Sequence, residues 1–258
     1  MRAAFFLSTL SLAYAVTHES NGTSIQVLGQ SGKATITRNG KDITMQVDYL
    51  SEVDVAGNEV GKVGSSKHSV NSFATQSFTF SPLRDVAYQN VSAKEFTFET
   101  PIYDIGRLQL DTLLLGNDGS VGTETETWNV RPGDLKWNIR LSEWTFCNPC
   151  ADGIAEFVDV GIEIKGQEET KSNTTVDLGS ATLQLSNRVT VDGVERDMPS
   201  DYPKVVTKGS KQLYVFRFPT FQTSATYDPL LQMNTGSIPL PSTLISMLLI
   251  LLAYFPTA

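Results

Sequence analysis

The amino-acid sequence predicts an all-β protein: one antiparallel β-sandwich or jelly-roll-like domain of about ten to thirteen strands over residues 16–234. Two observations favour this fold class. Apolar and polar residues alternate with a period of two along most of this range, which is typical of strands that bury one face. Turn-forming glycine, asparagine and aspartate residues separate the alternating segments, as hairpins require. Only the two ends of the chain have a helical pattern.

The alternating segments follow one another through the chain. In the first, Ile43, Met45, Val47 and Tyr49 share one face. The same pattern recurs at residues 77–81, 95–99, 135–141, 158–164 and 212–218. Each segment predicts a half-buried antiparallel strand.

Turn residues fall between these strands. Asn39-Gly40 separates residues 34–38 from 41–49 and is the clearest hairpin signal in the chain. Other turns are predicted after residues 108–115 (Asn117-Asp118-Gly119), before the strand of Trp137 (Arg131-Pro132-Gly133-Asp134), and after residues 188–191 (Asp192-Gly193).

The N-terminus has the features of a secretory signal peptide. Arg2 precedes an apolar stretch, and Ala13-Tyr14-Ala15 has the small-x-small form of a signal-peptidase site. We therefore expect residues 1–15 to be removed, so that the mature chain begins at Val16.

The C-terminus has the layout of a signal for a glycosylphosphatidylinositol (GPI) anchor. Its apolar core, residues 244–255, is shorter than the roughly 20 residues that span a bilayer, and no basic cluster follows it. Residues 235–258 would be replaced by lipid attached to Asn234, with Gly236 and Ser237 as rival sites. A retained membrane helix and a buried core segment are the alternatives.

Exported proteins are often glycosylated, and three Asn-x-Ser/Thr sequons are present, at Asn21, Asn90 and Asn173. The net charge of −8 argues against nucleic acid and against docking to anionic lipid by electrostatics alone. It is compatible with cations, although the acidic residues are scattered and most acidic extracellular domains are simply soluble.

Cys147 and Cys150 are the only cysteines. In an oxidising compartment we expect them to form one small disulfide ring after the Trp137 strand. Redox and metal roles are disfavoured, since no βαβ context and no second ligand pair accompany them.

The sequence offers little catalytic chemistry, and we expect no enzyme and no cofactor. His18 and His68 lie outside nucleophile motifs and are expected in exposed loops. Glu52 and Asp54 would share a strand face, as in glycosidases that use paired carboxylates, but Glu59 follows a turn. A polar strand end is the better interpretation.

Two weak binding hypotheses remain. Asp118, Glu124 and Glu126 surround a predicted hairpin tip and could bind calcium weakly or contact a mineral surface; a solvated hairpin is the simpler interpretation. Among the tryptophans, Trp137 alternates with aliphatic residues and should be in the core. Trp144 precedes a turn and is the best candidate for an exposed platform that stacks on sugar rings.

Several short segments resemble a family of uncharacterised secreted proteins found in the skeletal organic matrix of stony corals. They are residues 130–141 (VRPGDLKWNIRL), 144–147 (WTFC), 160–166 (VGIEIKG), 197–203 (DMPSDYP), 216–219 (FRFP) and 227–229 (YDP). The resemblance covers mainly residues 129–229 and implies residence in an extracellular matrix and a role around calcium carbonate. It brings no catalytic residues.

Together these observations predict a GPI-anchored extracellular glycoprotein with a structural or interaction role at the cell surface or in a matrix. Its expected partners are the membrane, through the lipid anchor, and matrix, glycan or mineral surfaces. The alternative is a carbohydrate-binding module on the same sandwich; a glycosidase that uses Glu52 and Asp54 is less favoured.

Overall fold

The computed structural model of the chain describes residues 15–60, 62–63, 66–150, 152–166, 170–171 and 174–234. The predicted signal peptide (except Ala15), the predicted anchor signal and Asn173 lie outside the described residues. No helix in the described ranges is long and apolar enough to cross a membrane.

All regular elements in these ranges are β-strands. In chain order they are β1 Ala15–Ser20, β2 Thr23–Leu28, β3 Ala34–Arg38, β4 Lys41–Val53, β5 Lys62–Val63, β6 Ser66–Lys67, β7 Ser69–Val70, β8 Thr79–Phe80, β9 Arg84–Tyr88, β10 Val91–Ile102, β11 Gly106–Leu115, β12 Gly119–Gly122, β13 Thr127–Val130, β14 Leu135–Ser142, β15 Phe157–Lys165, β16 Thr170–Lys171, β17 Thr175–Asp177, β18 Ala181–Gln184, β19 Arg188–Val191, β20 Val194–Asp197, β21 Lys204–Lys208, β22 Lys211–Pro219, β23 Ser224–Tyr227 and β24 Leu230–Met233. The expected ten to thirteen strands were too few, because many strands are too short to show an alternating pattern.

The strands form two large antiparallel sheets. The first follows the order β1-β2-β3-β4-β15-β22-β21, with β7 also paired to β4. The second follows β16-β17-β18-β24-β14-β11-β10-β8, with β9 on β10 and with β23 linking β14 to the β19–β20 hairpin. Two small hairpins, β12–β13 and β5–β6, complete the fold. The predicted all-β, sandwich-like class is confirmed.

The inner faces of both sheets contribute to one continuous hydrophobic core. Val47 and Val160 come from the first sheet, and Phe98, Trp137 and Tyr227 from the second. Trp137 is 1 % exposed, as its alternation with aliphatic residues predicted. Burying each large apolar side chain contributes roughly 1.5–3 kcal/mol, so this core is the main source of stability.

The two-residue turns form as predicted. Asn39 and Gly40 have φ angles of 53° and 71° and connect β3 to β4, while Asp192 and Gly193, at 51° and 80°, connect β19 to β20. Positive φ at both central residues is the geometry that matches the twist of a hairpin, and asparagine, aspartate and glycine adopt it readily.

A second, smaller group of buried side chains lies on the outer face of the second sheet, beneath the β12–β13 hairpin. We call it the outer cluster. Its members are Val91, Ala93, Leu113, Leu115, Val121, Val130 and Leu230, with Val86, Tyr88 and Trp128 packed against it. The hairpin therefore covers polar-face positions of the sheet that would otherwise contact solvent.

Candidate functional site in a polar groove

A groove with a volume of about 590 Å³ is lined by both the β12–β13 hairpin and the β19–β20 hairpin. Hydroxyl groups of Thr190 and Thr226 contribute to its lining. The charged residues that line it are Glu124, Arg188, Glu195 and Asp228. Three carboxylates and one guanidinium give the groove an acidic balance.

Side chains hold the tip of the β12–β13 hairpin in place. The Gln89 amide brackets Gly122: Nε2 donates to the Gly122 carbonyl at 2.7 Å, and Oε1 accepts from the Gly122 N–H at 2.7 Å. Glu195 Oε2 accepts from the Glu124 N–H at 3.2 Å, which links the two hairpins. The groove is thus built from fixed backbone.

Arg188 is already occupied by carboxylates of its own hairpin. It donates a very short hydrogen bond to Asp197, and its Nε lies 3.6 Å from Glu195 Oε1. The hydrogen bond to Asp197 raises the pKa of the guanidinium, with a further contribution from Glu195. Little of this positive charge is left to neutralise Glu124 or Asp228.

Lys136 lies beneath the groove, on β14, with no solvent exposure. Its Nζ donates to the Asp228 carbonyl oxygen at 2.8 Å and lies 2.8 Å from Asp228 Oδ1. The ammonium also lies 5.1 Å from the centre of the Trp128 ring. Burial lowers the pKa of Lys136, against the opposing charges of Asp228 and Glu126.

The other oxygen of Asp228 is also engaged. Tyr88 donates its hydroxyl hydrogen to Asp228 Oδ2 at 2.9 Å, and burial, followed by the charge of Asp228, raises the pKa of that hydroxyl. Glu126 lies close enough for its charge to act on Lys136, and its buried Oε2 accepts no hydrogen bond from the described residues. Lys136 is therefore paired directly with Asp228 and lies within the electrostatic reach of Glu126.

The predicted calcium ligands are not brought together. Asp118 precedes β12 and Glu124 follows it, so a four-residue strand about 13 Å long lies between them. Only Glu124 of these three residues lines the groove, and Glu126 is half-buried behind the tip. Calcium binding by these residues stays a prediction.

Trp144 is buried, so its expected exposure is wrong. The side chain is 6 % exposed, and its Nε1 donates to Glu52 Oε1 at 2.9 Å. The Cys147 N–H donates to Glu52 Oε2 at 3.2 Å, so the loop after β14 folds over the end of β4. A turn following Trp144 did not imply exposure, because the turn itself packs on the other sheet.

The expectations for the histidines are also wrong. His68 is 8 % exposed, with Nδ1 3.1 Å from Glu52 Oε1. His18 lies on strand β1, half-buried, with its ring centre 4.6 Å from that of Phe96, and burial lowers its pKa.

Glu52 and Asp54 do not form a pair of facing carboxylates. Glu52 has no solvent exposure, whereas Asp54 follows the end of β4 and accepts from the Asn58 backbone N–H at 2.8 Å and side chain at 3.0 Å. The two carboxylates therefore lie in different environments: Glu52 is buried, whereas Asp54 is bonded within the turn at Asp54–Asn58.

The structure contains the predicted disulfide between Cys147 and Cys150. With Glu52, the two sulfur atoms form a group whose potential ligand atoms lie within 4.8 Å of one another. Both sulfurs are consumed by the disulfide, so they are not thiolate ligands.

The described modification sites are accessible. Asn21 is exposed in the β1–β2 turn, where Nδ2 donates to the Leu115 carbonyl at 3.3 Å. Asn90 is exposed in the β9–β10 turn. Asn234 is exposed directly after β24, with Nδ2 donating to the Gly179 carbonyl at 3.0 Å. Glycosylation and lipid attachment remain predictions.

Sequence reasoning missed Gln89, Lys136, Arg188, Glu195 and Asp228. Lys136 appeared as one member of an alternating polar face, and the others appeared as ordinary strand or turn residues. The only available signal was the flanking of Lys136 by Leu135 and Trp137, which does not distinguish an exposed lysine from one covered by a distant hairpin.

Comparison with known protein families gives one finding. The family model described as acidic skeletal organic matrix protein matches residues 12–177 and 167–254. This extends well beyond the C-terminal half, over which the resemblance was first expected. No solved structure matches the chain.

Proposed function

Because the chain belongs to the acidic skeletal organic matrix protein family, we propose that it is a non-catalytic, lipid-anchored interaction domain of a calcified extracellular matrix. The family match is the observation that carries this proposal. An extracellular, mineral-associated matrix is the setting that the family indicates, and the anchor and glycans are our additions from the sequence.

The distribution of charge supports a surface that interacts with cations. Exposed carboxylates outnumber exposed basic side chains among the described residues. Those that are exposed and form no ion pair within these ranges include Glu19, Glu59, Asp104, Asp118, Glu124, Asp152 and Asp201. Such groups remain available to calcium or to a mineral surface, with weak affinity at each site.

A calcium titration tests this role. We expect the melting temperature of the secreted protein to rise with calcium concentration, because only preferential binding to the folded state stabilises it. At ten times the dissociation constant the gain is about 1.4 kcal/mol, which corresponds to roughly 3–6 °C for a domain of this size. The combined replacement Asp118→Asn, Glu124→Gln and Glu126→Gln should reduce the shift. The matched control is the combined replacement Asp85→Asn, Glu143→Gln and Asp197→Asn, at three exposed carboxylates that are already held in ion pairs. A flat response would contradict calcium binding.

The lipid anchor requires a separate test. Treating intact cells with a phosphatidylinositol-specific phospholipase should release the protein. Retention on the cells, together with detection of a peptide from residues 238–258 by mass spectrometry, would show that the tail is kept.

Carbohydrate binding is the second candidate, and the polar groove favours it. Planar amide and carboxylate groups beside hydroxyls are the chemistry that hydrogen-bonds sugars. Thr190→Phe would fill the groove and should abolish binding on a glycan array. Thr145→Phe, also at an exposed threonine, is the control. Equal binding by both variants would exclude the groove as the glycan site.

A further inference from the structure

The contact between Lys136 and Asp228 has features beyond those of an ordinary ion pair. The lysine is completely buried, its Nζ lies 2.8 Å from Asp228 Oδ1, and this oxygen has no other donor partner in the described part of the chain. We propose that the two side chains become joined by an intramolecular isopeptide bond between Lys136 Nζ and Asp228 Cγ. This modification goes beyond the function proposed above.

The enclosure of Lys136 favours the neutral amine that such a bond requires. Its cross-strand neighbours, Leu113 on β11 and Leu230 on β24, both belong to the outer cluster, and the Trp128 ring lies beside the Nζ atom. Burial lowers the pKa of Lys136, and an uncharged amine is a nucleophile whereas an ammonium is not.

The strands hold the reacting groups at contact distance. Lys136 pairs with Leu230, and Asp228 lies two residues before it in the connection from β23 to β24; both of these strands pair with β14. Fixing two groups in this way replaces an encounter in solution with an intramolecular step, which accelerates bond formation by a large factor.

Two neighbours supply the remaining chemistry. Tyr88 donates a hydrogen bond to Asp228 Oδ2 at 2.9 Å, which polarises the carboxyl group and stabilises the oxyanion that forms when nitrogen adds to Cγ. Glu126 has a buried Oε2 with no hydrogen-bond partner among the described residues, and its charge acts on Lys136. Its negative charge therefore stabilises the positive charge that develops on Nζ as the nitrogen adds to Cγ, while the Nζ protons pass to the Asp228 oxygen 2.8 Å away.

The step balances without an oxidant or co-reactant. The Nζ–Cγ bond forms and one Cγ–O bond breaks. Of the three hydrogens of the ammonium, one stays on the amide nitrogen and two leave with the carboxylate oxygen as a water molecule. The pair is neutral overall before the reaction and the amide is neutral after it, so no charge remains buried.

The bond would cross-link residues 92 positions apart in the chain. The disulfide, by contrast, joins residues three apart. A covalent link that closes a long loop restricts the unfolded chain more than one that closes a short loop. Unlike a disulfide, an amide also persists under reducing conditions.

Mass spectrometry of the full secreted chain tests the proposal directly. After enzymatic removal of glycans and denaturation, we expect a mass lower by one water molecule than the sequence, its disulfide and the Asn-to-Asp conversion at each deglycosylated site require. Digestion with trypsin and chymotrypsin should leave the Lys136 bond uncut and yield a branched peptide that joins Lys136 to Asp228. Lys94 and Asp85, an exposed pair whose Nζ and Oδ1 atoms lie 3.1 Å apart, should appear in linear peptides.

Variants separate this bond from other losses of water. Lys136→Arg and Asp228→Ala each remove one reacting group and should restore the full mass. Glu126→Gln should slow formation of the isopeptide bond at least tenfold in a time course after synthesis. The control, Lys94→Arg, should change the mass only by the difference between the two residues. Cyclisation at Asp118 or Asp192, each followed by glycine, would also release water but would leave trypsin cleavage after Lys136 intact. The proposal would be overturned if trypsin cleaves after Lys136 in the denatured wild-type protein and no branched peptide is found.

Discussion

At the residue scale, the Glu52 carboxylate organises the loop that follows β14. A carboxylate with no solvent exposure is costly to bury unless donors surround it. Here the Trp144 indole N–H and the Cys147 backbone N–H supply them at 2.9 and 3.2 Å, and His68 Nδ1 lies 3.1 Å from Glu52 Oε1. The contacts join β4 of the first sheet to the loop after β14 of the second.

Replacing Trp144 by phenylalanine tests this arrangement. The substitution keeps an aromatic ring but removes the N–H, which leaves Glu52 one donor short. We expect the free energy of unfolding to fall by about 1–3 kcal/mol, measured by urea denaturation. The control is Tyr103→Phe, at a residue that is 59 % exposed. This substitution should change the free energy of unfolding by less than about 0.5 kcal/mol. Equal stability of the two variants would contradict a structural role for the indole N–H.

Asp192 makes stability depend on pH in the acid range. Its Oδ1 accepts from the N–H groups of Gln222, Thr223 and Ser224 at 3.1, 2.7 and 3.1 Å, and these bonds, that from Gln222 foremost, lower its pKa. A carboxyl group whose pKa is lower in the folded state stabilises the protein at pH values above its pKa in the unfolded chain, which is about 3.9. This stabilisation is lost as the pH falls through the pKa of the folded state. Asp192→Asn keeps a residue suited to positive φ and should be less stable at pH 7. The difference should shrink below about pH 4, and a constant difference across an acid titration would contradict the assignment.

At the scale of elements, the pairing of β4 with β15 depends on a glycine. Gly161 lies under the Tyr49 ring, at a register shift between the two strands. A Cβ atom at this position would lie 2.1 Å from Tyr49 Cε1, far inside van der Waals contact. The aromatic ring thus occupies space that any other residue at position 161 would need.

Gly161→Ala should therefore cost about 1–3 kcal/mol through overpacking. Because the clash is with one ring, the same substitution should cost less in a Tyr49→Ala background, and a double-mutant cycle measured by denaturant unfolding gives the coupling. An equal cost in both backgrounds would assign the effect to the backbone of β15 instead.

At the scale of the whole molecule, the two sheets share one core and should unfold together. Side chains from both sheets belong to the same continuous cluster, so neither sheet can separate without exposing the other. Calorimetry should show one transition whose calorimetric and van't Hoff enthalpies agree. Two resolved transitions would show that the sheets are independently stable. The disulfide should contribute little to this transition, since it closes a short loop.

Strands and turns were predictable where the signal is local. Alternation located β4, β10, β14, β15 and β22, because a half-buried strand imposes its period on its own residues. Asn39-Gly40 located the β3–β4 hairpin, because its backbone geometry is set by the two turn residues themselves. The alternation at residues 77–81 also located β8, although that strand is only two residues long. Two-residue strands such as β7 were not predictable, since they exist only through their partners.

The sequence by itself determined the all-β class, the antiparallel hairpins, the core position of Trp137 and the proximity of Cys147 to Cys150. Only the tertiary structure decided which polar residues are buried. Alternation assigned Lys136 to the polar face of β14, and that assignment holds, but the β12–β13 hairpin covers this face and encloses the lysine with Asp228. Trp144 was buried in the same way, by contact with Glu52, 92 positions away in the chain. A local pattern specifies the face of a strand on which a side chain lies, whereas burial of that face depends on distant segments.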